Sequence, residues 1–242
     1  MKMRGEHVAL VGVLAAMIIA AGYIKLTPIL GATSYQFSMG SVAIHLVAIL
    51  LGPVLGTLTA FVGATVGQLL TGQGVAFPLF IPAAIGALVS ALLYFSYNKV
   101  ALAVMSATLL VWYAFPVGRE AWYFPFMLVI AIAAIGVFGG YISKMAHGTN
   151  EGHRSIAIFA ICLSGLLCDQ LAGSILAIPI FGLTADMYLA VLFIYPVERV
   201  LMAIATAVIA VPVLRALKAS SLSILSVSRT ESEATQLSIQ DE

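Results

Sequence analysis

An all-α, polytopic membrane bundle is the fold class this sequence predicts, and three observations carry it. Of 242 residues, 62% are hydrophobic and 9% charged, with mean hydropathy +1.10, whereas a soluble domain carries roughly 25% charged residues. The apolar residues are gathered into runs long enough to cross a hydrocarbon core of about 30 Å. Those runs are broken by Gly, Pro and isolated charges. The net charge of +1 leaves no case for a nucleic-acid partner.

The elements follow in order. A first helix is predicted over 7–24. Lys2 and Arg4 precede it as in a signal peptide, but Val8 to Ile24 is longer than a usual signal core and further spans follow, so it reads as a retained helix. Helices are next expected over 38–51 and 54–71, separated by Gly52-Pro53 because Pro lacks a helical donor and disfavours helix in the residue before it. The remaining apolar runs, 79–97, 100–116, 122–143, 155–178 and 188–217, bring the count to about eight transmembrane helices. The stretch 219–242 mixes Ser, Thr, Glu and Gln and is expected to be a disordered cytoplasmic tail on a membrane domain of 1–218. No internal repeat emerges, so an inverted-repeat architecture has no support.

Cationic residues set the orientation. With both termini cytoplasmic, Lys2, Arg4, Lys99, Lys144, Arg154, Arg215, Lys218 and Arg229 fall inside, and only Lys25 and Arg119 outside. Two connections, Leu26 to Phe37 (which includes Gln36) and Gly72 to Pro78, are then external and uncharged. They have the character of covers over something small.

Several chemistries lack their residues. No G-x-x-x-x-G-K-[ST] loop is present, so ATP-driven work must come from partners. No H-E-x-x-H or close His/Cys cluster supports a metal site, and Ser164-Gly165 lacks the context of a serine hydrolase; no enzyme activity and no cofactor are expected. Cys162 and Cys168 lie six apart in one apolar run, on different helix faces, and read as core residues.

What remains is a set of intramembrane polar residues. Glu198 and Arg199 sit inside an apolar run, where an ionised side chain costs at least a few kcal/mol unless partnered or wetted. Both are expected about 15 Å below the outer end of the last helix, with Asp169 at nearly the same depth on the preceding one. His45 and Gln68 also favour the outer half. Neighbours on a helix point about 100° apart, so Glu198 and Arg199 must serve different partners. Asp169, Glu198 and Arg199 tie two helices together, or one of them joins Gln170, Tyr195 and Gln68 around a polar substrate, or both, since ionic residues lining a cavity are tied to each other when it is empty. Arg199 is the better candidate for the tie and Glu198 for substrate contact. Pro196 is expected to bend the last helix, and Trp112, Tyr113, Trp122 and Tyr123 to anchor at the interface. Gly12, Ala16 and Ala20 form a small-residue row on the first helix, suited either to internal packing or to docking another membrane subunit.

The chain resembles the substrate-binding S component of energy-coupling factor (ECF) transporters. The residues behind the resemblance are the small-residue first helix Ala9-Leu-Val-Gly-Val-Leu-Ala-Ala16, the uncharged loop, Phe37-Ser-Met-Gly-Ser-Val-Ala-Ile44 leading to Leu50-Leu-Gly-Pro-Val-Leu-Gly56, then Gly63-Ala-Thr-Val-Gly-Gln68 and Val211-Pro-Val-Leu-Arg215. The match is best over 7–97. The resemblance implies a capture subunit in the cell membrane that binds an organic micronutrient such as a vitamin near the outer face, under the loop Leu26 to Phe37. It implies a transmembrane coupling protein and two cytoplasmic ATPases as partners, with Gly12, Ala16 and Ala20 docking on the coupling protein. Gly12 departs from the family's alanine row. Family members commonly have six helices, so the hairpin between Lys99 and Lys144 reads as an insertion, and the metal-binding Met-His start of nickel and cobalt relatives is replaced by Met1-Lys2-Met3. The alternative reading is a self-sufficient proton-coupled secondary transporter or channel in which Asp169 or Glu198 takes up protons.

Overall fold

The computed structural model describes residues 5–29, 32–72 and 78–219, with side chains over 9–26, 38–72 and 78–217. Its elements are α1 (Gly5–Gly22), β1 (Lys25–Ile29), β2 (Ala32–Ser38), α2 (Gly40–Leu70), α3 (Phe80–Tyr94), α4 (Asn98–Ala114), α5 (Pro116–Glu120), α6 (Phe126–His147), α7 (Glu151–Phe181), α8 (Ala185–Ala190) and α9 (Ile194–Ala219). By length and composition α2, α6, α7 and α9 are able to cross a membrane, while α1, α3 and α4 are shorter apolar helices. Of the tail expected over 219–242, residues 220–242 lie outside the described residues.

Gly52-Pro53 acts as expected, and more strongly. α2 runs from Gly40 to Leu70 as one element, but Gly52 holds φ 84° and ψ 179°, a region essentially reserved for glycine. A Cβ at Gly56 would lie 2.8 Å from Ala48 Cα, whereas residues eight apart in a straight helix are about 12 Å apart. The chain therefore folds back at this point, giving two limbs, 40–51 and 53–70, packed on each other. Glycines let α1 settle against the second limb: Cβ positions at Gly63 and Gly67 would lie 3.0 and 3.6 Å from Ile18 and Ile19.

The core continues through α3, α7 and α9. Asn150 caps α7 by accepting from the His153 N–H at 3.1 Å, and Gly182 ends it in the left-handed conformation at φ 65°. An ion pair between Glu151 and Arg215 joins the start of α7 to the end of α9, so these helices run antiparallel. Cys162 and Cys168 are buried thiols, the latter against Thr108.

Four expectations need correction. The connection Leu26 to Phe37, expected as an uncharged loop, is an antiparallel β-hairpin, pairing Lys25 with Ser38 and Pro28 with Gln36. The last helix begins at Ile194 rather than 188, because α8 and a turn occupy the preceding residues. Pro196 thus lies in the first turn, where its missing N–H has no helical acceptor to lose, and it causes no bend. Trp112 is fully buried rather than interfacial: its ring packs on Phe124 and Tyr188 with centroids 5.3 and 5.0 Å away. Trp122, 67% exposed, keeps the character of an anchor.

Candidate substrate cavity

A cavity of about 80 Å³ opens at the hairpin end of the bundle. Its walls come from the last turn of α1 (Ile18, Gly22), the start of α2 (Gly40, Ser41, Ile44), the end of α2 (Gly67, Gln68, Thr71), the start of α3 (Leu79, Ala83) and α7. The close approach of these elements depends on the glycines that remove side chains between them. Ser38 at the hairpin's exit also lines the cavity, and its Oγ accepts from the Gly40 N–H at 3.2 Å. Asp169 is the one charged lining residue among those described.

Below the cavity lies a close-packed crossing of α3 and α7. A Cβ at Gly86 would fall 2.7 Å from Asp169 Cβ and 2.8 Å from the Gly165 carbonyl, and one at Gly165 would collide with Ser90 Oγ. His45, fully buried on the first limb of α2, fills the space beside both glycines and hydrogen-bonds Ser90 Oγ through Nδ1 at 2.8 Å. Arg199 is fully buried and close enough to act electrostatically on His45 and Asp169; Nη1 contacts Met202 Sδ at 3.5 Å.

The predicted site residues thus separate into groups. Gln68 and Asp169 face the cavity, and His45 and Arg199 form the layer behind it. Glu198 is half-buried, within electrostatic reach of Asp169, and does not line the cavity. Gln170, one residue from Asp169 and on another face, borders a cavity of about 20 Å³ beside Phe124 and Pro196. Tyr195 packs on Phe124 in the same aromatic group, at 6.4 Å. Gln36 lies on β2, and its side chain is outside the described residues. Gly12, Ala16 and Ala20 are all exposed on α1, and a Cβ at Gly12 would meet nothing within 4 Å.

The depth argument for Asp169 and Arg199 also changes. Asp169 is twelve residues, about 18 Å, from the end of α7, while Arg199 is five residues, about 7.5 Å, from the start of α9. They come within reach because the α8 connection takes up chain at that end. Sequence reasoning missed Ser38, Ser41 and Thr71 as cavity hydroxyls. Ser38 and Ser41 were marked only by their position where an uncharged connection enters a helix.

Residues 2–117 match the family model described as ECF-type riboflavin transporter, S component. The matched segment reaches through α4, the first helix of the hairpin read above as an insertion. An uncharacterized protein of Methanocaldococcus jannaschii, MJ0923, is 26% identical over 158 residues, which is 64% of this chain and 53% of that protein. The chain therefore spans about half the length of this curated relative. No solved structure matches the chain. The cavity walls contributed by α1, α2 and α3 all lie inside the matched segment, so the part of the chain that builds them is similar to the S components of ECF-type transporters.

Proposed function

We propose that this protein is the substrate-capture subunit of an ECF-type uptake transporter in the cell membrane, that it takes an organic micronutrient at the hairpin end, and that this end faces outward. The observation that carries the proposal is the polar cavity at that end, whose walls other than Asp169 belong to the family-matched segment. The positive-inside distribution supports the orientation and both termini cytoplasmic. One feature favours a coupled subunit over a self-sufficient transporter: α1 walls the cavity with Ile18 and Gly22 while presenting Gly12, Ala16 and Ala20 outward.

In this reading α1 has two jobs. Its inner face touches the solute cavity and its outer small-residue face receives the transmembrane coupling protein, so docking bears directly on a cavity wall. The two limbs of α2 and the helices α1, α3, α4, α6, α7 and α9 make eight segments, with 1–218 as the membrane domain and 219–242 as a cytoplasmic tail. Riboflavin, named by the matching family, is the first solute to test.

Purified full-length protein should bind a solute without hydrolysing ATP, and reconstituted vesicles should take it up only when the coupling protein and both ATPases are present. Uptake by this chain alone, driven by a pH gradient and lost in Asp169→Asn, would establish the proton-coupled alternative instead. Replacing Ala16 with Trp should abolish uptake and leave solute binding intact, because Ala16 is exposed and away from the cavity.

A further inference from the structure

Asp169 is 9% exposed, lines the cavity, and makes no hydrogen bond or ion pair with another described residue. A carboxylate in such a place is costly unless something pairs with it. Its Cβ is held against α3, since the missing side chain of Gly86 leaves just the room it occupies. The residues around it do not close the gap. Arg199 acts on it from a fully buried position that does not reach the cavity wall, and Glu198 adds a second negative charge.

The rest of the wall is neutral. Ser38, Ser41, Gln68 and Thr71 supply hydroxyls and an amide, and no cation lines the cavity among the described residues. These four lie inside the segment matched to the family, and Asp169 lies outside it. At about 80 Å³ the cavity is well below the roughly 300–1,000 Å³ of sites that enclose a whole drug-sized ligand, so it accommodates one head group.

We infer that Asp169 is the specificity-determining residue of this cavity, pairing with a cationic nitrogen or a neutral N–H donor at the head of the solute and rejecting solutes that lead with a carboxylate or phosphate. A lone acceptor carboxylate among hydroxyls complements donor groups, with charge-assisted hydrogen bonds roughly twice as strong as neutral ones. An anionic head would meet like charge with nothing at the wall to offset it. The inference rests on the capture reading above.

Two measurements on the full-length protein in detergent test it. The first needs no ligand: the melting temperature of solute-free Asp169→Asn should equal or exceed that of the wild type, because the buried carboxylate has no hydrogen bond or close ion pair with a described residue to lose. A fall of several degrees would make Asp169 a structural tie and overturn the inference. The second is titration with three probes graded by head group: thiamine as a cation, riboflavin as a neutral imide, and pantothenate as a carboxylate, with native mass spectrometry of any solute carried from the cell. The expected result is binding of thiamine, riboflavin or a carried solute with an N–H or cationic head, weakened at least tenfold by Asp169→Asn, and no binding of pantothenate. Pantothenate binding as tight as the others, an anionic carried solute, or affinity unmoved by Asp169→Asn overturns the donor class and leaves the capture reading standing. A wild-type protein that binds no probe and carries no solute overturns the capture reading itself.

Discussion

α6 and α7 are both apolar helices of membrane-crossing length, and they are built for opposite surroundings. Over their most apolar windows α6 is 22% buried and α7 61% buried, yet the mean hydropathies are 2.2 and 1.8. Hydropathy alone therefore separates them poorly. The distinction lies in the kind of residue. α7 carries Ser164, Gly165, Asp169, Gln170 and Ser174, which are small or polar and suit contact with other helices. α6 offers Val137 and Phe138, 74% and 56% exposed, which suit lipid.

Glycine makes the contrast sharpest, and the largest expected effect comes from it. Gly165→Ala would drive a methyl group into Ser90 Oγ, the Gly86 carbonyl and the His45 ring, and the backbone carbonyl cannot swing aside. We expect a loss of about 3 kcal/mol, the upper part of the range for overpacked cores, seen as a sharply lowered melting temperature in detergent. Gly136→Ala on α6 meets nothing within 4 Å and should leave the melting temperature unchanged or slightly raised. Equal responses at the two glycines would erase the distinction drawn between the helices.

A second break tests conformation rather than space. Gly52 lies at φ 84°, ψ 179°, so Gly52→Ala should cost on the order of 1–3 kcal/mol from backbone strain. The measurement is thermal stability alongside Gly140→Ala, an α6 change into open space with no such strain. A mild Gly52→Ala would mean the limbs of α2 are not held in their folded-back arrangement by this residue.

Next in size is Ser90→Ala. Ser90 holds His45 Nδ1 at 2.8 Å in a fully buried setting, and its loss should cost about 1–3 kcal/mol by leaving a buried polar atom unpaired. Ser143 on α6 is a demanding comparison, since its Oγ reaches the Leu93 and Gly139 carbonyls and Asn98. Ser143→Ala should cost less than Ser90→Ala, because the carbonyl oxygens it leaves already take part in helices.

These tests also mark how far the sequence could be read. The Gly52-Pro53 break was legible because both residues act through their own backbone, whatever surrounds them. The row Gly12, Ala16 and Ala20 was legible from spacing, but its exposure was not, since small residues suit internal packing as well as docking. The choice among Asp169, Glu198 and Arg199 was not. It depends on helix rotation and on where α9 begins, and the α8 turn displaced that start by several residues. Trp112 was misplaced for a related reason: nearness to a helix end was taken for nearness to lipid, while Phe124 and Tyr188 cover its ring. The hairpin was missed because its strands are short and its composition reads as a loop.

The smallest effect belongs to the most conspicuous charge contact. Glu151 and Arg215 pair at the end of the bundle away from the cavity, with side chains 61% and 54% exposed. A solvent-facing pair of this kind contributes about 0–1 kcal/mol, because water screens the attraction and two long side chains lose freedom. Arg215→Ala should therefore shift the melting temperature little, and less still at high salt. The buried Arg199 should respond in the opposite manner, with a large effect insensitive to salt, since water does not reach it. If Arg215→Ala proves as damaging as Arg199→Ala, the α7–α9 contact is held from its exposed end, and burial ceases to explain why polar residues concentrate on α7 rather than α6.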